Sequence, residues 1–298
     1  MTARKHPDLS PTERANEASV GLETRSTTEI LEIMNREDAR VASAVGEQLP
    51  AIRDGVDGIV GRVGRGGRLI YLGAGTSGRM ATMEAAEAPP TFGVTADIVI
   101  GVIAGGTGAV QAAREGAEDD AEGGAAEVRR LDVGAADVLV GVSASGRTPF
   151  VLAAMGEAHA RGALIVGVCC DDEAPLVAAS DIPICPMVGP EILAGSTRLK
   201  AGTAQKLVLN MLTTVAMIRL GRVHGNLMID VRPTNAKLRE RARRIVAEIT
   251  GATDSEVSRA LSQSDWSARA ATLMLSRGLT ADEARALLNV GTEVPPNA

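Results

Sequence analysis

Five short apolar runs, separated by segments of helical pattern, constrain this chain more than any other feature. The runs cover residues 68–72, 97–103, 137–142, 164–169 and 181–187, with helix-like pattern at about 79–88, 109–122, 148–161 and 174–179. Strands that alternate with helices through short connections pair in parallel, because right-handed crossovers return the chain across the sheet in one sense. Hydrophobic residues make up 45% of the chain but aromatic residues only 1%, so the core must come from Val, Leu, Ile, Ala and Met. That composition suits helices packed tightly on both faces of a parallel sheet. The expected fold is therefore α/β, a doubly wound five-stranded parallel sheet flanked by helices, with sites at the carboxyl ends of the strands.

The flanking chain is helical in pattern. Residues 1–25 read as an extended arm, and Ser26-Thr27-Thr28-Glu29 as a capping box opening a helix through Ile30, Leu31, Ile33 and Met34, which Asn35-Arg36-Glu37-Asp38 interrupts. A second helix over 49–63 places Ile52, Val56, Ile59, Val60 and Val63 at helical spacing. Beyond the sheet runs, a helix over 196–220 is apolar on every face after Lys206, which places it against the sheet and a second subunit. A basic helix follows, with Lys237, Arg239, Arg241, Arg243 and Arg244, read as a solvated face. Capping signals at Thr253-Asp254-Ser255-Glu256, Ser264-Asp265 and Thr280-Ala281-Asp282-Glu283 then mark a small three-helix bundle. The expected organisation is an N-terminal arm and helices (1–54), the sheet domain (55–221), a connecting strand-like segment with the basic helix (222–250) and the small helical domain (251–298).

Several partners are excluded on composition. A net charge of −6 and so few aromatic side chains give no stacking platform or basic field for nucleic acid. Cys169, Cys170 and Cys185 lie in apolar runs at no ordinary zinc spacing and read as small core residues, so no metal is expected. Met1 to Asp8 carries no apolar leader segment, and no stretch reaches the ~18 apolar residues of a membrane span. A cytoplasmic protein without a membrane partner is the expectation.

Two loops carry the chemistry. The first run breaks into Gly73-Ala74-Gly75-Thr76-Ser77-Gly78-Arg79, a strand, a glycine turn and a helix start, which turn backbone N–H groups and a positive dipole end toward an anion. The glycines also spell G-x-G-x-x-G, but a dinucleotide site needs an acidic residue at the end of the next strand. That run leaves through Ala104-Gly105-Gly106-Thr107, and Asp97 stands at its wrong end. A second loop, Ser143-Ala144-Ser145-Gly146-Arg147-Thr148-Pro149, repeats the arrangement, with Pro149 suited to a first helical turn. Ordinary N-capping explains one hydroxyl per loop, not Thr76 with Ser77 in one and Ser143, Ser145 and Thr148 in the other. A phosphate accepts from hydroxyls and helix amides together, which makes Gly75, Thr76, Ser77, Ser143, Ser145, Gly146 and Thr148 the candidate ligands. Ser196 either caps the long helix or donates to substrate. Lys200 and Lys206 are placed to steady an anion, with a structural role equally open for Lys206, and His224 reads as structural.

Carboxylates for acid–base work stand nearby in sequence. Glu87 closes the helix that starts in the first loop, which Pro89-Pro90 terminates, roughly 12–15 Å along it by helical rise, and Glu118 lies on the helix after the second run. Glu84 and Glu115 share their faces, so spacing alone does not choose within either pair. Without further information all four read equally as solvated helix glutamates.

The two loops resemble the SIS phosphosugar-binding domain, and the likeness extends further. Tyr71 to Arg79, Glu87-Ala88-Pro89-Pro90-Thr91, Glu115-Gly116-Ala117-Glu118-Asp119, Ala144 to Pro149, Arg198-Leu199-Lys200-Ala201-Gly202-Thr203-Ala204-Gln205-Lys206 and Gly225-Asn226-Leu227-Met228 occur in order. Together, over about residues 20–250, they are similar to the N-acetylmuramic acid 6-phosphate etherase family, and the tail resembles that family's small helical domain. The resemblance implies cleavage of a lactyl ether by elimination followed by water addition, in cell-wall sugar recycling, with Glu87 as proton donor, Glu118 as the second acid–base group, no cofactor and a homodimer. Thr107 departs from the pattern, since relatives can carry glutamate there. The rival readings are a non-catalytic phosphosugar sensor and a phosphosugar isomerase.

Overall fold

A computed structural model describes residues 10–289; the leader reading of Met1 to Asp8 falls outside them. The chain divides into two compact units, one of residues up to Ala85 with Asp97–Ala216, the other of Ala86–Ala96 with the chain from Met217 onward.

The first unit holds the sheet. Residues 10–25 form three short 3-10 turns rather than an extended arm. They lead into α1 (Thr27–Asp38), whose Ser26–Glu29 capping box forms as expected, and α1 runs through the positions expected to interrupt it. After α2 (Val41–Gly46) and α3 (Leu49–Val63) the strands β1 (Leu69–Gly73), β2 (Val99–Ile103), β3 (Val138–Val142), β4 (Leu164–Val168) and β5 (Ile182–Ile184) pair in parallel in the order β2-β1-β3-β4-β5. This is the doubly wound five-stranded sheet expected from the alternating runs. Strand β5 is shorter than its apolar run and stops two residues before Pro186, which has no ladder donor.

The connecting helices are α4 (Gly75–Phe92), α5 (Ala121–Arg130), α6 (Pro149–Ala160), α7 (Pro175–Ala178) and α8 (Lys200–Arg219). Ile70, Leu72, Leu139 and Ile165 pack with Phe150, Val151, Ala154 and Met155 of α6 in one buried cluster. On the opposite face, Tyr71 hydrogen-bonds Thr213 of α8 at 2.7 Å, and α3 brings Gly55 against Leu212, Ile184 and Val166. A methyl group on Gly55 would stand only 3.0 Å from Leu212, so glycine there sets how closely α3 approaches. At the amino ends of the strands, Asp137 takes two bonds from the Arg68 guanidinium (2.7 and 3.1 Å) and two from backbone amides, tying β3 to β1.

Two helix expectations change. Pro89 and Pro90 do not end α4; they remove the donors that would reach the Ala85 and Ala86 carbonyls, and the helix runs on to Phe92. Gly93, at φ +66, ends it instead, its amide bonding the Pro89 carbonyl. No continuous helix covers 109–122. Short 3-10 turns at Thr107–Val110 and Ala117–Asp119 are separated by irregular chain with Gly116 at φ +73, and α5 begins only where Asp120 caps it by accepting from the Gly123 amide.

The second unit contains α9 (Ala236–Thr250), α10 (Asp254–Gln263), α11 (Ala268–Arg277) and α12 (Ala281–Asn289). Ala242, Ile245 and Val246 of the basic helix α9 are buried with Val257, Leu261, Ala271 and Leu273, so its apolar stripe belongs to the core of the bundle. Arg239 and Arg243 lie over the Trp266 ring at 5.2 and 5.0 Å. Both flanking capping boxes form, but Ser267 rather than Ser264 caps α11, because Asp265 and Trp266 turn the chain in left-handed conformations. Among the described residues, no helix is long and apolar enough to cross a membrane.

Candidate active site

Strand order places the two loops side by side. From β1 the chain crosses to β2 on one side and later to β3 on the other, so the carboxyl ends of β1 and β3 flank the point where the winding reverses. Gly73 and Val142 are register partners there, and each strand ends in one of the Ser/Gly loops. Open parallel sheets hold ligands at this point because the loops diverge and leave a crevice.

Each loop is held by its glycines. In the first, Gly75 is at φ +53, and a side chain on Gly78 would stand 2.6 Å from the Gly73 carbonyl oxygen. In the second, Gly146 is at φ +64, and a Cβ there would lie 2.5 Å from that of Ala174. Ser143 is the hub of the second loop: buried, it accepts from the Gly146 amide at 3.1 Å and shares hydrogen bonds with Thr148 (2.8 Å) and Ser145 (3.4 Å). Ser145 and Thr148 are half-buried, so they are the hydroxyls the loop offers outward. Arg147 is occupied by an ion pair with the buried Asp171 at 2.9 Å.

In the first loop Thr76 is half-buried and Ser77 buried, with the Ser77 hydroxyl donating to the Gln205 side-chain oxygen at 2.9 Å. Helix α8 reaches this loop through Gly202, where a Cβ would stand 3.5 Å from Thr76 Cγ2. The α8 N-terminus is not capped by Ser196, which lies a turn ahead of it. Glu191 caps it from outside, its carboxylate accepting from the Lys200 and Ala201 amides at 3.0 and 2.9 Å. Burial raises the Glu191 pKa, and the two amides and the Lys200 charge only partly offset that. Lys200 itself is buried, with its ammonium committed to Glu37 at 2.7 Å. The role expected for it at the substrate is not carried by this geometry.

A cavity of about 220 Å³ opens beside the first loop, lined by Gly75, Arg79, Arg114, Glu115, Glu118 and neighbouring small residues. Glu118 and Gly75 are thus brought together from segments far apart in sequence. Glu118 stands exposed on a 3-10 turn rather than a helix, so the same-face argument that linked it to Glu115 no longer applies, yet both carboxylates line the cavity. The other pair is separated by the fold. Glu84 is buried and accepts from the Asn210 amide, whereas Glu87, one turn later on α4, is exposed. Sequence reasoning missed Arg114 as a cavity residue and Gln205 as the partner of Ser77. The only signal for Gln205 was its place in the run from Arg198 to Lys206.

Comparison with known proteins agrees with the fold. The SIS domain profile matches residues 122–215, and the profile of the glucokinase regulatory protein N-terminal SIS domain matches residues 51–159. A protein of Aeromonas hydrophila subsp. hydrophila named N-acetylmuramic acid 6-phosphate etherase is 53% identical over 277 residues, 93% of each chain. Another of that name from Rubrobacter xylanophilus is 52% identical over 281 residues, 94% of this chain and 93% of its own. The solved structure of a phosphoheptose isomerase from Neisseria gonorrhoeae superposes with a TM-score of 0.50 at 19% identity, over 64% of this chain and 98% of that one, and shows a shared fold alone.

Proposed function

The chain belongs to the N-acetylmuramic acid 6-phosphate etherase family, and we propose from that premise that it is an etherase that releases D-lactate from N-acetylmuramic acid 6-phosphate. The observation that carries the reading is the pair of Ser/Gly loops at the carboxyl ends of β1 and β3, with Glu118 in the cavity beside Gly75. The loops suit the 6-phosphate: helix amides and the hydroxyls of Thr76, Ser145 and Thr148 offer donors to its oxygens, while Ser143 holds the second loop in shape.

The chemistry follows from the substrate. An ether oxygen leaves poorly, but once the sugar opens to its aldehyde the C2 proton lies α to a carbonyl. A base removes that proton, the electron pair forms the C2–C3 double bond, the C3–O bond breaks and an acid protonates the departing lactate oxygen. Water then adds to C3 of the unsaturated aldehyde, giving N-acetylglucosamine 6-phosphate. Glu118 serves as base and Glu87 as acid in this reading, which rests on their match to the family pattern. Two observations favour Glu87 over Glu84. Glu84 is occupied by Asn210, and Glu87 is exposed to take part. Proton transfer, C3–O cleavage and water addition together leave the oxidation level unchanged, so the reaction asks nothing of a redox group.

The protein acts in this reading in the cytoplasm, where a phosphorylated sugar is retained by its charge, as a homodimer. Val215 and Ile218 of α8, 40% and 44% exposed, are apolar side chains that a second subunit would cover. Lactate release from N-acetylmuramic acid 6-phosphate is the direct test. Tight binding without release would leave a phosphosugar sensor, and conversion without lactate an isomerase.

A further inference from the structure

Gln205 is the one side chain at the phosphate loops whose hydrogen bonding does not close. It is 1% exposed, its oxygen accepts from Ser77, and its amide nitrogen has no hydrogen-bond partner among the described residues. An unpaired buried donor of this kind works against stability. Nearby polar pairs made by α8 are closed: Glu84 of α4 with Asn210, and Tyr71 of β1 with Thr213.

A carboxamide has two orientations of the same shape. With its oxygen toward Ser77, as in this structure, the serine proton is spent on Gln205, and Ser77 has no proton for an anion. Turned by half a revolution, the amide donates to Ser77 Oγ instead. The serine proton is then free to point outward from the loop, and the group left unpaired is a carbonyl, which tolerates that better than an N–H does.

We propose that Gln205 is a positioning residue of the phosphate loop, whose amide decides whether the Ser77 hydroxyl points inward to α8 or outward to the substrate phosphate. The inference rests on the phosphate reading of the first loop and adds to it a residue from a distant helix.

The test is a double-mutant cycle on Ser77 and Gln205, read as KM and kcat for lactate release. Gln205→Glu keeps the shape, but when ionised it can only accept and so holds the Ser77 proton inward; the expected result is a KM raised about tenfold with kcat changed far less. Ser77→Ala should raise KM to a similar extent, and the double variant should be no worse than either single one, because both withhold the same proton from the phosphate. Gln205→Met, which neither accepts nor donates, leaves the Ser77 proton uncommitted and should raise KM less than Gln205→Glu does. A Gln205→Glu enzyme with the parental KM, a Met variant whose KM rises as far as the Glu variant's, or penalties that simply multiply in the double variant would overturn the inference while leaving the loop assignment in place. Should Ser77→Ala itself leave KM unchanged, the phosphate reading of the first loop fails and the inference with it.

Discussion

Lys200 Nζ lies 2.7 Å from Glu37 Oε2, and both side chains are almost wholly buried. Asn16 donates to the same carboxylate oxygen at 2.8 Å, and Arg40 meets the other at 3.1 Å. Burial works against a charge on Glu37, but the hydrogen bonds from Lys200 and Asn16 and the charges of Lys200 and Arg40 outweigh it and hold its pKa below the usual carboxylate range. Since Lys200 opens α8 and Glu37 closes α1, the pair fixes the start of the helix that carries Gln205.

Removing one partner of that pair leaves a buried charge. Lys200→Met should therefore destabilise the fold by about 3–5 kcal/mol, and Glu37→Leu with Lys200→Met should recover much of the loss. Urea unfolding of the two variants decides this. A Lys200→Met protein as stable as the parent but with weakened substrate binding would return Lys200 to the site.

The acid–base assignment predicts a separation of binding from turnover. Glu87→Gln and Glu118→Gln should each lower kcat by about 10²–10⁴-fold, while calorimetric affinity for the substrate changes little. Glu84→Gln serves as the contrast, since its carboxylate faces Asn210; it should alter thermal stability more than kcat. Lactate release at near-parental rate from either of the first two variants would remove that residue from the mechanism.

Within the second loop the hydroxyls should not behave alike. Ser145→Ala removes an outward donor and should weaken substrate binding about tenfold without loss of stability. Ser143→Ala removes the hub that accepts from Gly146 and bonds Thr148, so it should lower the melting temperature as well as the affinity. Calorimetry and thermal unfolding together read both effects. Unchanged affinity in Ser145→Ala would mean that the loop does not hold the phosphate.

Asp137 carries an acid-limb prediction. Burial opposes its ionisation, but the Arg68 guanidinium and the Gly134 and Arg68 amides more than compensate and lower its pKa. A carboxylate lowered in the folded state stabilises fully above its unfolded pKa of about 4, and that contribution fades as pH falls through the folded value. Asp137→Asn should thus cost about 2–3 kcal/mol at neutral pH, with the gap to the parent narrowing as pH falls below about 4. Urea midpoints across that range test it. A constant gap would mean that the bonds to Asp137 do not depend on its charge.

Much of the fold was legible because its signals are local. The apolar runs, the Leu49–Val63 helix and the capping boxes at Ser26, Thr253 and Thr280 formed where the pattern put them. The errors came where a local rule met a non-local one. Tandem prolines read as a helix stop, yet Gly93 ends α4; at 109–122 helical pattern lost to glycines and to the Asp120 cap. In the site, Ser and Gly at two strand ends were readable as an anion cradle. That Glu84 is occupied and Glu87 exposed was not, because Asn210 lies 126 residues away in the chain.

Sequence alone determined the class of fold, the two loops and the chemistry they suit, since periodicity, turn residues and hydroxyl density act between near neighbours. Tertiary structure decided which groups are spent and which are offered. Lys200 goes to Glu37, the α8 amides to Glu191, and the Ser77 proton to Gln205. Those choices are made by whichever partner packing brings within about 3 Å of a buried polar atom, and a buried polar atom must take the partner it is given.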